Sequence, residues 1–569
     1  MNEKLNEIIE ISNLKDMLNK TRDMYKNNIA YKIRIAENEY KTISHLEVRE
    51  MVDNLGTALI SLGLKDKRIA IIGENRYEWE IAYLAIACGV GTVVPLDKSL
   101  PENELRKLIE RSNVEAIIYS GKYEKQLKNM VLEGIGNLRT LISMDAKTHN
   151  NGIYSESELI QIGNIQIKNG NREFLDSEVD SEKMKIMLFT SGTTSKSKVV
   201  ALSHKNICAN LMDLSRIINI TENDKMLSFL PVHHVFGCTV GFLFSLYKGA
   251  QTSFCDGIKY IVPNLNEYEI TFACFVPAIY ENIYKNIIKK LEKENKLEIV
   301  NNLIEKYKNA SMEEKKKVFK DIHDIFGGNI KLLISGAASL DKKVEEWFRN
   351  VGINLCQGYG LTETSPVVAV ERNEYVRPGS IGPKLPSVEV KIDKPDSEGM
   401  GELLVKGPNV MIGYFENKVA TKEAIIDGWF HTGDLALIDE DGYIFIKGRK
   451  KSVIVLKNGK NIFPEEMENL VNRIQGVKES FIYGKAKKED KDDIKIHVKI
   501  VIDKDILGLA YGVKTDEEIY EILNSKIKEI NNTMPPYKAI RGLLITENPL
   551  IKTTTGKIKR QEELKTIEQ

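Results

Sequence analysis

Short apolar runs, each followed by a helix-like stretch, recur through the first two-thirds of the chain. Residues 68–73 predict a strand, 78–88 a mostly apolar helix, 92–96 the next strand, 102–112 a helix and 114–120 a strand. The same rhythm returns at 186–189, 226–230, 251–255, 271–276, 330–335 and 353–357. Strands that are apolar throughout, alternating with helices, specify parallel or mixed sheets covered on both faces. In such sheets the loops at the carboxyl ends of the strands are where ligands bind.

Two stretches break the rhythm. Residues 281–326 are lysine-rich and helix-periodic, with apolar positions at Ile283, Ile287, Leu291, Leu303, Ile304 and Tyr307. That pattern fits a solvated helical hairpin with one face on the core, or a basic surface able to lie on an anionic membrane. From about Gly382 the texture turns β-rich and glycine-punctuated, with runs at 388–392, 401–405 and 435–446. A charged joint follows, Gly448-Arg449-Lys450-Lys451-Ser452, and beyond it a compact pattern of helix (465–474), strands (479–483, 495–501) and helix (516–530). The expected fold is α/β: a large N-terminal domain (1–449) of mixed and parallel sheets covered by helices, with a β-rich subdomain. A small mobile α+β C-terminal domain (450–569) completes it.

With 569 residues, 42% of them hydrophobic, the chain can bury several cores. Lys and Arg total 81 and Asp and Glu total 81, so no global charge favours nucleic acid. Six cysteines are scattered without a C-x-x-C pair and read as small core residues of a reducing compartment. The N-terminus carries no apolar signal core, and the longest apolar stretch, 81–96, is interrupted by Gly89, Gly91 and Pro95. A soluble, cytoplasmic protein is expected, with peripheral membrane contact through 281–326 as the open alternative.

The chemistry gathers around Leu188-Phe189-Thr190-Ser191-Gly192-Thr193-Thr194-Ser195-Lys196-Ser197-Lys198. Small side chains let backbone N–H groups approach an anion, hydroxyls add donors and lysines add charge, which together suit a polyphosphate. The same composition also makes a polar surface turn. The Walker pattern G-x-x-x-x-G-K-[ST] is absent. Further motifs follow in order: Pro231-Val232-His233-His234-Val235-Phe236-Gly237, Ser335-Gly336-Ala337-Ala338-Ser339, and Gln357-Gly358-Tyr359-Gly360-Leu361-Thr362-Glu363-Thr364-Ser365. After them come Gly428-Trp429-Phe430-His431-Thr432-Gly433-Asp434, Gly448-Arg449-Lys450-Lys451 and Lys552-Thr553-Thr554-Thr555-Gly556-Lys557. Singly, each has an ordinary explanation: Asp434 as a turn former, Lys557 as a solvated lysine, His234 as a structural histidine.

Together and in this order, over residues 30–560, the motifs resemble the adenylate-forming (ANL) superfamily of AMP-dependent synthetases and ligases, most of all its long-chain fatty acyl-CoA synthetases. The resemblance implies a fatty acid and ATP giving acyl adenylate and pyrophosphate, then thioesterification to coenzyme A, with Mg²⁺ as the metal. It implies that Thr190, Ser191, Gly192, Thr193, Thr194 and Lys198 hold the β- and γ-phosphates, that Thr362 contacts the α-phosphate, and that Glu363 binds Mg²⁺. Gly336 and Ala337 would wall the adenine and Tyr359 stack on it, while Asp434 and Arg449 would hold the ribose. His234 would stand beside the reacting carboxylate, Lys557 would bring positive charge to it and to the α-phosphate, and Lys451 would be the hinge. Gly459 would leave room for a pantetheine arm. The family commonly has Gly, Pro and Gly where this chain has Ser195, Ser197 and Val199, which makes the loop stiffer at Val199. Ile551 stands in place of a common Pro.

Val235 follows His234, where amino-acid-activating relatives place an Asp for the substrate ammonium. An apolar residue there would leave a buried ammonium unpaired, which disfavours amino acids. A hydrocarbon tunnel, by contrast, gains about 0.8 kcal/mol per buried methylene. Two alternatives to the CoA ligase remain: an acyl carrier protein as thiol acceptor, and a nucleotide-binding scaffold without catalysis.

Overall fold

A computed structural model describes residues 5–190, 198–372, 376–457, 460–486, 494–553 and 557–568. Two eight-stranded sheets form the bulk of the molecule. The first runs in the order Val367–Val370, Leu355–Gly360, Leu332–Ser335, Phe272–Phe275, Lys225–Ser228, Gln251–Phe254, Ile29–Ala36, Glu39–Ser44. Its inner neighbours pair parallel and an antiparallel strand closes each edge. The second runs Gly413–Tyr414, Val199–Ser203, Met184–Phe189, Thr92–Pro95, Arg68–Ile72, Ala116–Tyr119, Thr140–Ser143, Ile153–Ser155, parallel except for its first two pairings. The inner strands are buried on both faces, so they carry runs such as Ala116-Ile117-Ile118-Tyr119 with no exposed surface.

Residues 78–88, expected as one helix, form Tyr77–Ala85 followed by a wider π-helical turn, Ile86–Val90. The lysine-rich stretch divides into four helices, Pro277–Lys293, Leu297–Tyr307, Met312–Val318 and Lys320–Ile325. Its apolar side packs inward: Ile287, Leu291, Val300, Ile304, Phe319 and Ile322 join one core with Trp347 and Phe348. Only Ile299 is counted among the exposed large apolar side chains there. The expected apolar face on the core is therefore present, on four helices rather than a hairpin, so the apolar face needed for membrane insertion is already used. Among the described residues no helix is long and apolar enough to cross a membrane.

The β-rich stretch is an antiparallel sheet of Glu389–Asp393, Gly401–Lys406, Trp429–Ile438 and Ile425–Ile426, with Ile444–Arg449 paired to Trp429–Ile438. Past the joint, Val477–Ala486, Ile494–Ile502 and Ile540–Thr546 make a separate three-stranded sheet with its own core, including Met467, Val498, Leu507 and Leu523.

A buried acid pair supports the strand that carries Tyr359. Glu345 (0% exposed) accepts hydrogen bonds from the Gln357 side chain (2.7 Å) and the Gly379 N–H (3.1 Å). Glu371 (1% exposed) accepts from the backbone N–H groups of Gln357 (2.9 Å) and Arg377 (3.2 Å). Burial raises both carboxyls above their ordinary range, and the Glu345 charge raises Glu371 further. A raised folded-state value means that the stabilisation is complete below about pH 4.5, the ordinary Glu value, and is lost as pH rises through the raised one. Glu371→Gln should therefore raise the melting temperature by about 2–4 °C at pH 8.5 and leave it unchanged at pH 4.5. Calorimetric melts at the two pH values check this; a gain at the acidic value would contradict it.

Candidate active site

The motifs expected to carry chemistry lie at strand ends, and long-range contacts join them. Asp434 sits in Trp429–Ile438 and is 4% exposed. Its cross-strand partner is Arg449, whose Nε lies 2.9 Å from Asp434 Oδ1. Tyr359, on Leu355–Gly360 of the first sheet, donates its hydroxyl to Asp434 Oδ2 at 2.5 Å. Burial raises the Asp434 carboxyl above its ordinary value, while Arg449 and Tyr359 pull it back towards the ionised form. Arg449 also donates to the Thr432 carbonyl (3.2 Å).

Thr362 and Glu363 form a short helical turn, Thr362–Thr364. A Cβ on Gly360, just before it, would meet the Pro366 carbonyl oxygen at 1.8 Å, so only glycine lets the strand turn here. Buried amides fasten the turn from outside the motif. Asn409 donates to the carbonyls of Thr364 (3.1 Å) and Val367 (3.0 Å), and Asn210 pairs with both the carbonyl (2.9 Å) and the N–H (3.1 Å) of Val367. The Met411 N–H donates to the Glu363 carbonyl (2.8 Å), and the Tyr414 hydroxyl donates to Glu363 Oε1 (2.9 Å).

Gly336 follows Leu332–Ser335, and a Cβ there would meet the Phe236 ring at 2.9 Å. Ala337 takes a left-handed φ of 71° and packs against the main core. His234 belongs to a loop tied across to the second sheet by Asn75, which donates to the Leu230 carbonyl (2.7 Å) and accepts from the Val232 N–H (3.3 Å). Burial pushes the His234 imidazole down to about 3, with further repulsion from His233 and Lys557. The ring is neutral at physiological pH. Val235, next to it, is 2% exposed.

Lys557 joins these residues from the far end of the chain. Its N–H donates to Thr553 Oγ1 (3.1 Å) and its carbonyl accepts from the Thr553 N–H (2.8 Å), closing a small loop. Arg560, three residues on, grips Glu468 through both guanidinium nitrogens (2.9 and 2.6 Å) and fixes the loop to the small sheet's core. Lys557 keeps solvent contact, yet protein atoms crowd it and Arg449 repels it, lowering its pKa against the opposing pull of Asp434 and Glu363. Lys557, Arg449, Asp434, Glu363 and His234 are thus electrostatic neighbours.

Of the anion-cradle residues, Thr190 and Lys198 are described. The Thr190 N–H and hydroxyl both donate to the Lys198 carbonyl (2.9 and 3.2 Å), pinning the two ends of the loop together. Lys198 Nζ lies 4.3 Å from the centre of the Tyr414 ring. Val199 is 2% exposed and paired with Phe189, so it is already strand. Ser191, Gly192, Thr193, Thr194 and Gly459 lie outside the described residues. Lys451 is exposed within the short turn Lys450–Ser452. Tyr414, Asn210 and Asn409 escaped sequence reasoning because no spacing or periodicity marks them.

Among the described residues no group of three or more His, Cys, Asp and Glu could hold a metal ion by itself. The site fits a hard cation that takes one carboxylate, Glu363, and completes its shell from phosphate oxygens and water, as Mg²⁺ does in nucleotide sites.

Residues 19–415 match the family model described as AMP-binding enzyme. Among curated relatives, long chain acyl-CoA synthetase 4 of Arabidopsis thaliana is 29% identical over 79% of this chain and 72% of its own. Long-chain-fatty-acid–CoA ligase FadD15 of Mycobacterium tuberculosis is 26% identical, covering 93% and 91%. Among solved structures, ATP-bound MatB from Rhodopseudomonas palustris superposes with a TM-score of 0.76 at 23% identity, over 98% and 99% of the two chains. O-succinylbenzoate CoA synthetase of Bacillus subtilis, solved with ATP and magnesium, gives 0.72 at 21% identity over 96% and 99%. At these identities the solved structures speak for the fold. The family model spans well over half of the sequence, and the chain belongs to the AMP-binding enzyme family.

Proposed function

We propose that the protein is a long-chain fatty acid–CoA ligase that first makes an acyl adenylate. The observation that carries this reading is that Lys557, Asp434, Arg449, Glu363 and His234, which stand on separate segments of the chain, are electrostatic neighbours, with Arg449 paired to Asp434 at 2.9 Å. The names of the curated relatives support the substrate class, and a buried apolar Val235 beside His234 agrees with it.

In the first step a carboxylate oxygen attacks the α-phosphorus of ATP and pyrophosphate leaves. Two anions must approach, so the site has to supply positive charge and aligned donors where charge shifts. Lys557 serves the carboxylate and α-phosphate oxygens, Thr362 donates to the α-phosphate, and Lys198 and Thr190 border the loop that receives the outer phosphates. Asp434 accepts from the ribose hydroxyls with Arg449 beside it, while Gly336, Ala337 and the Tyr359 ring bound the adenine. Neutral His234 flanks the carboxylate without adding charge. Glu363 would hold Mg²⁺, which would supply charge neutralisation on the phosphates when bound. In the second step the CoA thiolate attacks the acyl carbonyl carbon and AMP leaves.

Serving both steps from one cleft requires residues 450–569 to turn about Lys451 as a mobile unit, removing Lys557 and bringing the loop around Gly459 to the thiol. A carrier protein presents the same pantetheine thiol. Peripheral membrane contact would rest on the lysine face of 281–326 alone, since the apolar face is packed inward. A scaffold without catalysis has no use for a lysine poised as Lys557 is.

The two half-reactions should separate by mutation. Lys557→Ala should slow acyl-adenylate formation by about 10²–10³-fold and still convert supplied acyl adenylate and CoA to thioester. Lys451→Pro fixes the joint's φ and should do the reverse, letting adenylate accumulate. Each half-reaction assayed alone decides the matter; equal loss of both in both folded variants would refute the two-orientation scheme.

Substrate class is read by a pyrophosphate-release screen from acetate to oleate, with amino acids, CoA and holo carrier protein as separate arms. Medium- and long-chain fatty acids should give the highest kcat/KM, with free CoA as acceptor. A preference for acetate, an aromatic acid or an amino acid would overturn the assignment.

A further inference from the structure

Tyr414 touches two groups of opposite charge that do not touch each other. Its hydroxyl donates to Glu363 Oε1 at 2.9 Å, and its ring lies under the Lys198 ammonium at 4.3 Å. Among the described residues Lys198 and Glu363 form no ion pair with one another, and the hydrogen bond to the Glu363 carboxylate comes from Tyr414, on Oε1. The tyrosine itself is firmly held. It is 8% exposed, pairs with Val200 across the edge of the second sheet, and donates its N–H to Thr421 Oγ1 at 2.9 Å.

A lysine ammonium on a flexible four-carbon stem would readily take a carboxylate as its partner. A direct Lys198–Glu363 pair would use up the positive charge that a phosphate needs and the oxygen that a divalent cation needs. The aromatic face holds the ammonium by a cation–π contact, which a phosphate anion can outcompete. The hydroxyl fixes one carboxylate oxygen and leaves the other for a ligand. We propose that Tyr414 is a positioning residue: it keeps Lys198 available to nucleotide phosphate and Glu363 to a divalent cation by preventing the two from neutralising each other. The proposal rests on the reading of Glu363 as the metal carboxylate.

Calorimetric titration with ATP, once with excess Mg²⁺ and once with EDTA, tests it without reference to turnover. Tyr414→Phe keeps the ring and loses the hydroxyl. It should weaken ATP binding in Mg²⁺ by about 10-fold, the loss of one hydrogen bond to a charged group, and leave metal-free binding as in the wild type. Tyr414→Leu removes the ring as well, so Lys198 falls onto Glu363 and metal-free binding weakens too. Adding Glu363→Gln to Tyr414→Leu removes that competing partner and should restore the metal-free affinity. A residue that only stabilises the fold would change both titrations equally and would not be rescued by the second substitution. Unchanged Mg²⁺ dependence in Tyr414→Phe, beside a clear loss in Glu363→Gln, overturns the proposal alone. An unchanged Mg²⁺ dependence in Glu363→Gln removes the metal assignment and the proposal with it.

Discussion

A buried carboxylate, Asp434, ties the molecule's parts to one point. Taking it out of water is costly unless its charge is met, and the two groups that meet it come from different places. Tyr359 belongs to the first large sheet, and Arg449 ends the antiparallel sheet at the threshold of the joint. The need to satisfy one buried acid therefore fixes how a parallel sheet and an antiparallel sheet are set against each other. It also puts Arg449 beside Lys557, whose affinity for its proton is lowered by burial and then by the Arg449 charge. Crowding of this kind is unfavourable for an empty cleft and favourable for one that receives phosphates.

Much of this was legible in the sequence for a physical reason. Inner strands of a parallel sheet must be apolar on both faces, so 68–72, 116–119, 272–275 and 332–335 announce themselves as continuous runs. The turn after Gly360 announces itself through small residues, because a close approach of backbone to backbone tolerates nothing larger. What stayed hidden are side chains acting over long separations. Asn210 reaches Val367 across 157 residues, and Tyr414 reaches Glu363 across 51. Neither has a periodic position or a motif around it. The stretch 281–326 hid its breaks differently: Lys and Glu continue the helical texture through Asn295, whose φ of 55° ends one helix, and up to Ser311, whose capping box starts another.

The seam between the small C-terminal sheet and the rest has a polar character that suits the reorientation proposed for residues 450–569. Arg473 grips Asp341 through two hydrogen bonds of 2.6 and 2.7 Å, Lys285 donates to the Asn472 carbonyl at 3.4 Å, and Lys450 meets Glu402 at 3.0 Å. The Lys450 and Arg473 side chains keep 60% and 35% of their surface in solvent, while their partners Glu402 and Asp341 keep 10% each, so each pair sets a half-exposed cation against a buried carboxylate. The apolar core of the small unit is its own and does not depend on the seam. Had the seam been a hydrophobic interface, each reorientation would have exposed its full apolar area. A few aligned ion pairs set the orientation instead. Asp341 also caps the helix Lys342–Asn350 through the Lys343 N–H. In the proposed reorientation Arg473 would leave, and the Lys343 N–H would stay as a donor to that carboxylate.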